Sequence, residues 1–275
     1  MDARRYWSLA AGCLLAASIA AAANAQFRGG RFRGPAPKMA TPTDFDGNFL
    51  FCRIIFRNSS DGDGAGWGVD YPRADINLTF RLSELTTTTV SRDPEDGYKH
   101  VVVRLTDPLL YHCPFVMMTE PGGAYFDEAE AAQLRDYVLK GGFLWADDFW
   151  GDYAFNIWAR EIGKALPPER YPIIDIPLEH GLFHTLYDIR HIPQIPSINF
   201  WGSTGGQTSE RGRDSAVPHV RGILDENGRI MVLMTHNTDF GDAFEREGDD
   251  HRYFLQFAPD GYAFGVNAII YSMTH

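Results

Sequence analysis

The feature that most constrains the fold is a series of continuous apolar runs of strand length, separated by segments with the spacing of amphipathic helices. The clearest runs are NFLFCRIIF, HVVVRL, PFVMMT and FLWADD, which begin at residues 48, 100, 114 and 143. Strands that are apolar on both faces are typical of a parallel sheet with helices on either side, because both of its faces are buried. The runs therefore predict an α/β fold, a three-layer sandwich around a mainly parallel sheet.

Helical segments lie between these runs. The clearest one begins at Asp127, which can cap its first turn, and stops at Gly141, a typical helix terminator. Residues 72–86 and 151–166 also place apolar side chains on one face, as expected for helices that pack on a sheet. The first half of the chain therefore alternates strand and helix.

The second half is less regular. Residues 171–176 and 229–236 are predicted strands, and residues 261–273 are a predicted closing helix. Between them, residues 177–227 are rich in loop-forming residues. We expect 48–275 to form a single α/β domain, with a loop-rich insertion near 177–227 that decorates the sheet.

The N-terminus has the pattern of a secretory signal peptide. Arg4 and Arg5 precede an uncharged apolar run from Leu9 to Ala23, and Ala-Asn-Ala ends at residue 25. An uncleaved anchor is the competing interpretation, but this run is shorter than the roughly 20 residues of a spanning helix. We expect residues 1–25 to direct export to the periplasm or outside the cell, by the general or the twin-arginine route, and no transmembrane segment after cleavage.

Charge is distributed unevenly along the chain. The whole chain carries −11, and residues 1–38 hold six basic residues and one acid, which leaves −16 on the remainder. The strong negative charge of residues 39–275 argues against a nucleic-acid partner, because phosphate binding needs a basic surface. Residues 26–47 are predicted to be a basic, Gly- and Pro-rich leader, either a solvated linker or a segment that contacts anionic lipid or an acidic partner.

The cysteines leave two alternatives open. Cys13 lies in the predicted signal peptide, so the mature chain keeps Cys52 and Cys113. They can pair in an oxidising compartment, or remain as two small buried thiols, because each lies in or beside an apolar run. No C-x-x-C motif indicates redox or metal chemistry.

Several segments together resemble a known bacterial family. They are DYPRADINLTFRLSELT, DPLLYHCPFVMMTEPG, LRDYVLKGGFLWADDFWG, HGLFHTLYDI and GRIMVLMTHNTDFGDAF, which together span nearly all of residues 48–273. In this order they are similar to the family called domain of unknown function 4159. That resemblance implies no particular activity.

A looser similarity is to the class I glutamine amidotransferase-like fold, a flavodoxin-like arrangement. The similarity rests on a strand, a loop, a helix with Leu-x-x-Tyr-Val, a Gly-Gly pair and an apolar strand. In that fold the last of these strands ends in a sharp turn that carries a nucleophilic cysteine. Here Asp147 and Asp148 take that place, so the resemblance argues against thiolate amidotransferase chemistry.

Polar and aromatic residues follow several of the predicted strands. In an open parallel sheet, ligands bind in the crevice beyond the carboxyl ends of the strands. Asp147, Asp148 and Trp150 should lie at that edge, and so should Trp67, Asp70 and Tyr71, in the loop after the first strand. We expect these six residues to contribute to one candidate crevice.

The two adjacent carboxylates have a functional and a structural interpretation. They can coordinate a hard cation, bind sugar hydroxyls beside a tryptophan, or act as general acid and base. Alternatively, Asp148 caps the helix that begins near Trp150, and Asp147 accepts backbone N–H groups. The sequence does not decide between these roles.

Other candidates come from the second half. His180 and His184 have helical i,i+4 spacing, although a loop histidine bonded to backbone is the simpler interpretation. His236, Asn237, Asp239 and Asp242 follow a predicted strand and either complete the crevice, bind calcium, or form a polar turn. We assign no catalytic residue, metal ligand or cofactor from the sequence, which also lacks a G-x-S-x-G elbow and a Walker loop.

Two functions fit these observations. The first is an exported, non-catalytic module of the cell envelope that binds a small polar ligand or an envelope protein. The second is a carboxylate-based or metal-assisted hydrolase of carbohydrate or other envelope material. Approach of Asp147 or Asp148 to His184, His236 or Asp239 around one cavity would favour the hydrolase.

Overall fold

A computed structural model describes residues 36–275 of the chain. The predicted signal peptide and the first ten residues of the predicted leader lie outside the described residues. The proposed division of the chain at residues 25 and 47 stays a prediction.

A seven-stranded sheet forms the centre of the structure, and five of its strands run parallel. They are β1 (Phe51–Ile54), β3 (His100–Val103), β4 (Phe115–Thr119), β6 (Phe143–Phe149) and β9 (Ile230–His236). Antiparallel strands β8 (His219–Leu224) and β7 (Ile174–Asp175) extend the sheet beyond β9, giving the order β3-β1-β4-β6-β9-β8-β7. The prediction of an α/β fold with a mainly parallel sheet is confirmed.

Helices cover both faces of this sheet. Within residues 36–275 the six α-helices are α1 (Arg73–Leu85), α2 (Glu128–Leu139), α3 (Gly151–Ala165), α4 (Ile198–Ser203), α5 (Phe240–Glu245) and α6 (His251–Thr274). One apolar cluster joins α2 and α3 to one face, where Leu144 points. A second cluster joins α1, α5 and α6 to the opposite face, where Trp145 points. Alternation of side chains along the strands thus supplies two cores, as in a three-layer sandwich.

Short elements complete the structure. Strands β2 (Arg57–Asn58) and β5 (Ala124–Tyr125) form a separate antiparallel pair. The 3₁₀ turns are Pro42–Asp44, Pro108–His112, Pro121–Gly123, Gly181–His184 and Gly212–Ser215. Among residues 36–275, no helix combines the length and the apolar character that a membrane crossing requires.

The second half differs from the sequence prediction in two places. Strand β8 lies inside the segment predicted to be loop-rich. The sequence does not predict this strand, because HVRGIL mixes polar residues with a glycine and lacks a continuous apolar run. Helix α6 begins ten residues before the predicted start. Pro259 lies inside it, and Asp250 caps it by accepting the backbone N–H groups of Arg252 and Tyr253.

Two features secure the edge of the sheet near β1. Cys52 and Cys113 form a disulfide with Cα atoms 6.1 Å apart, which joins β1 to the segment before β4 and decides the alternative that the sequence left open. Beyond β3, the backbone N–H of Ala40 donates to Val102 and that of Val102 donates to Lys38. The outer edge of β3 is therefore partly paired rather than fully exposed.

The strand order determines where a ligand site can form. Numbered by themselves, the five parallel strands have the order 2-1-3-4-5, a doubly wound arrangement in which the chain changes direction between β1 and β4. Loops that follow these two strands separate there and leave a crevice at the carboxyl edge.

Candidate functional site

The strands end at this edge in unusual backbone conformations. Asp70, Glu120, Asp148 and Asn237 all have left-handed φ angles, between 49° and 62°. Each lies in the loop after a parallel strand or at the strand's last residues, and Asp148 is the extra residue of a β-bulge between Asp147 and Phe149. Such conformations are uncommon for residues other than glycine and often occur at functional sites.

A cavity of about 280 Å³ opens at the same edge. Seven acids and two arginines line it together with smaller and aromatic residues. These nine are Asp63, Asp70, Glu120, Asp148, Glu210, Asp239, Asp242, Arg211 and Arg246. The cavity is therefore strongly acidic, and only two cationic side chains face its charge.

Three of the acids converge deep in the cavity. One carboxylate oxygen from each of Asp70, Asp148 and Asp239 lies within 4.8 Å of the others, and the residues are only 6, 7 and 3 % exposed. Burial raises the pKa of all three well above the usual range of an aspartate, and repulsion from neighbouring carboxylates adds to this effect. We call these residues the acidic triad.

A second group of acids shares Asp70 but is compensated. It consists of Asp70, Asp242 and Glu245. The Arg246 guanidinium lies 3.2 Å from an Asp242 oxygen and 2.7 Å from a Glu245 oxygen. In the described chain, no Lys, Arg or His side chain forms an ion pair with Asp148 or Asp239.

The Asp70 carboxylate is only partly satisfied. Its Oδ2 is buried and has no hydrogen-bond partner in the described structure. The absence of a side chain at Gly241 makes room for it, because a Cβ there would overlap Asp70 Oδ2 and lie 3.3 Å from Asp239 Oδ1. Asp70 and Asp239 thus approach the same point beside α5.

A buried arginine holds the loop that carries Asp70. Arg53 on β1 donates to both oxygens of Asp75 at 3.0 and 3.1 Å, and both side chains are fully buried. It also donates to the carbonyl of Val69 at 3.0 Å and to Thr119 Oγ1 at 2.6 Å. Arg53 therefore connects the loop before Asp70 to β1, α1 and the end of β4.

The two adjacent aspartates have different roles. Asp147 accepts hydrogen bonds from Thr235 Oγ1 and, at 2.9 Å, from the backbone N–H of Gly241, and burial raises its pKa to about 7. It does not line the cavity. Asp148 lines the cavity and accepts a hydrogen bond from Trp150 Nε1 at 2.9 Å.

The capping alternative is accordingly half right. Asp147 does accept a backbone N–H, as that interpretation expects. Asp148 does not cap α3. The N-cap residue of α3 is Trp150, whose side chain makes no capping hydrogen bond, and the backbone N–H of Gly151 donates instead to Asn237 Oδ1 at 2.8 Å.

The histidines and Asn237 serve structural roles. His236 accepts from Arg221 at Nδ1, its Nε2 lies 3.0 Å from the Gly151 carbonyl, and burial lowers its pKa to about 4, so its ring is neutral. Asn237 bridges Gly151 and the Val217 carbonyl. His184 is exposed and contacts Asp188 and the Leu178 carbonyl, at 2.9 Å each, away from the cavity.

Of the aromatic candidates, only Trp150 lines the cavity. Trp67 and Tyr71 pack against each other, with ring centroids 5.6 Å apart, and the Tyr71 hydroxyl accepts the backbone N–H of Lys38. Of the twelve candidates named from the sequence, the cavity lining contains Asp70, Asp148, Trp150, Asp239 and Asp242. The other seven candidates lie outside the lining.

Sequence reasoning missed several lining residues. Glu120 directly follows the strand PFVMMT, so the rule that placed Asp148 at the carboxyl edge could also have found it. Glu210 and Arg211 come from the irregular segment between β7 and β8, where no periodic pattern indicates orientation. Arg246 lies just after the short helix α5, which the sequence does not predict.

Comparison with known proteins adds a family assignment. A family model described as Domain of unknown function (DUF4159) matches residues 55–273. No curated protein matches the chain significantly.

Proposed function

The chain belongs to the family described as Domain of unknown function (DUF4159), and we propose that it is an exported, non-catalytic domain that binds a small polar ligand in the acidic cavity. One observation carries this proposal: buried carboxylates from separate loops converge in a cavity at the switch point of the sheet. Convergent polar groups in such a position are typical of ligand sites in doubly wound folds.

The charges of the lining indicate the class of ligand. Seven acids against two arginines favour a ligand rich in hydroxyl or amino groups, which donate hydrogen bonds to carboxylates. The cavity volume of about 280 Å³ suits a small molecule rather than a polymer segment. A single amino sugar or polyol has these properties.

The absence of a conventional nucleophile supports binding without turnover. The two cysteines in the described chain are joined in a disulfide, so neither supplies a thiolate. His236 is neutral and occupied at both ring nitrogens, and His184 lies elsewhere. No described histidine lines the cavity to act as a base beside a serine.

The fold and the compartment complete the proposal. The strand order 2-1-3-4-5 is that of flavodoxin-like proteins, which supports a class I glutamine amidotransferase-like fold with Asp148 at the expected nucleophile turn. Export to the periplasm or outside the cell is supported by the signal-like N-terminus and by the disulfide, a bond typical of oxidising compartments.

Native mass spectrometry of the full chain, isolated from a periplasmic extract, tests the proposal. We expect a co-purified small molecule, or calorimetric binding of glucosamine in preference to glucose. Glu210→Gln should weaken glucosamine binding about tenfold, the loss of one hydrogen bond to a charged acceptor, whereas Glu226→Gln, an exposed acid outside the lining, should not. Chemical conversion of the bound molecule would contradict a non-catalytic role, and failure of every small molecule to bind would contradict a ligand site.

A hydrolase is the second candidate, and a specific observation favours it. Asp148 approaches Asp239 around one cavity, and burial raises the pKa of nearby Glu120 to about 7, a value suited to general acid–base catalysis. This candidate predicts release of product from chromogenic glycosides or envelope glycans, abolished in Asp148→Asn and retained in Asp152→Asn. Equal rates with and without the protein would remove it.

A further inference from the structure

The acidic triad lacks the paired cation that several other acids in this region have. Arg53 forms an ion pair with Asp75, and Arg246 forms ion pairs with Asp242 and Glu245. Asp148 and Asp239 have no basic partner in the described chain, and Arg53, whose charge reaches Asp70, is committed to Asp75. Buried carboxylates of this kind need either protons or a cation that the polypeptide does not supply.

An independent observation points to a ligand. Asp70 is more than nine-tenths buried and belongs to the cavity lining, and its Oδ2 has no hydrogen-bond partner among the described residues. Buried polar oxygens are almost always satisfied, so an unsatisfied one marks the place of a missing partner. A carboxylate oxygen can only accept hydrogen bonds or bind a cation when it is ionised.

Neighbouring groups orient the other two carboxylates. Trp150 Nε1 donates to Asp148 Oδ1 at 2.9 Å, and the backbone N–H of Asp242 donates to Asp239 Oδ1 at 2.8 Å. Hydrogen bonds of this kind fix ligand carboxylates in metal sites. The left-handed backbone at Asp70 and Asp148 also holds both residues at the cavity edge.

We propose that Asp70, Asp148 and Asp239 bind one hard divalent cation of the Ca²⁺ type through their carboxylate oxygens. The three oxygens lie within 4.8 Å of one another. Ca²⁺ accepts about 6–8 oxygen ligands in flexible geometry, which suits three carboxylates from separate loops, whereas Mg²⁺ demands near-ideal octahedral geometry and usually keeps several waters. A set of oxygen ligands alone favours hard cations over zinc or copper.

The cation would deepen the proposed ligand-binding function, on which this inference rests. Three protein oxygens leave coordination positions open toward the cavity, since Ca²⁺ takes about 6–8 ligands. Hydroxyl groups of the bound molecule can fill those positions. The ion would then connect the protein to its ligand.

Terbium luminescence and thermal unfolding of the full chain test the inference. After treatment with EDTA, Tb³⁺ should luminesce on excitation of tryptophan, because Trp150 contacts a proposed ligand, and CaCl₂ should displace it more effectively than MgCl₂. CaCl₂ should also raise the unfolding temperature. An affinity near 0.1–1 mM would match extracellular calcium modules.

Matched variants locate the site. Asp70→Asn keeps the side-chain shape and should weaken Ca²⁺ binding more than about tenfold. Asp152→Asn removes an exposed acid at the start of α3, outside the cavity lining, and should leave binding unchanged. If Asp70→Asn does not fold, Asp239→Asn provides the same comparison. The Tb³⁺ luminescence and unfolding measurements on the wild type test the inference even if neither variant folds.

The alternative is neutralisation by protons. In that case Ca²⁺ neither displaces Tb³⁺ luminescence nor raises the unfolding temperature, and this result overturns the inference. Equal Ca²⁺ affinity in Asp70→Asn and the wild type also overturns it. Binding of a small molecule to the EDTA-treated chain would then preserve the proposed function, while loss of both would remove the two together.

Discussion

Replacement of Arg53 by methionine should be among the most damaging single changes in the described chain. The substitution keeps a long side chain but removes the one charge that is ion-paired with Asp75 among the described residues, and both side chains are fully buried. Loss of one partner from a buried ion pair leaves an uncompensated charge and typically costs about 3–5 kcal/mol. Val69 also loses the donor to its carbonyl at 3.0 Å.

Urea unfolding followed by tryptophan fluorescence measures this effect. With an m-value of about 2–3 kcal/mol/M, a loss of 3–5 kcal/mol moves the midpoint down by roughly 1–2 M. The double variant Arg53→Met with Asp75→Leu removes both charges, so it should recover most of the lost free energy of unfolding.

The recovered protein separates stability from positioning. Without Arg53, the loop of residues 67–70 loses its connection to β1, so the double variant should still bind Tb³⁺ more weakly than the wild type. A single variant that costs less than about 1 kcal/mol, or a double variant as unstable as the sum of both singles, would refute the argument that Asp75 requires Arg53.

Three further changes test other parts of the structure. Cys52→Ala with Cys113→Ala should lower the free energy of unfolding by about 4 kcal/mol, as expected for opening a loop with a sequence separation of 61, and reductant should destabilise only the wild type. Burial raises the folded-state pKa of Glu120 to about 7, so its contribution to stability falls as pH rises from about 4.5 to 7. In EDTA, the free energy of unfolding of Glu120→Gln should therefore rise by about 2–3 kcal/mol relative to that of the wild type between pH 5 and pH 8. A difference that stays constant with pH would contradict this. Gly241→Ala should cost about 1–3 kcal/mol and reduce Tb³⁺ binding, because its Cβ displaces Asp70. Gly163→Ala in helix α3, where the Cβ would contact only Pro168 Cδ at 3.8 Å, should be neutral or stabilising by up to about 1 kcal/mol in the same melts.

The fold could be predicted where local and tertiary signals agree. Strands β3, β4 and β6 are continuous apolar runs because helices bury both faces of the sheet around them. Strand β8 pairs only at the antiparallel end of the sheet and contains Gly222, so its composition does not distinguish it from a loop. The start of α6 was missed because Pro259 is a strong local signal for a helix end, which tertiary packing overrides.

The site was predictable only in outline. The rule for carboxyl ends of parallel strands brings Asp70, Asp148 and Asp239 to one edge, and the structure places all three in the cavity lining. The rule does not give side-chain direction, so it treated Asp147 and Asp148 alike, although one faces α5 and the other faces the cavity. That difference depends on the bulge at Asp148, which no sequence pattern indicates.

Arg53 shows which signal was present but unused. A single charge in the apolar run FLFCRIIF cannot be buried unless an acid meets it, and Asp75 lies in the first turn of the next helix. The same reasoning, applied to the acidic triad, leads to the opposite result: the charges of Asp148 and Asp239 have no such partner in the described chain. Apolar residues of similar volume would pack there without this electrostatic penalty, and would often make the fold more stable. The triad therefore opposes folding unless something binds to it, which is the physical reason to look for its function in a bound cation rather than in the stability of the domain.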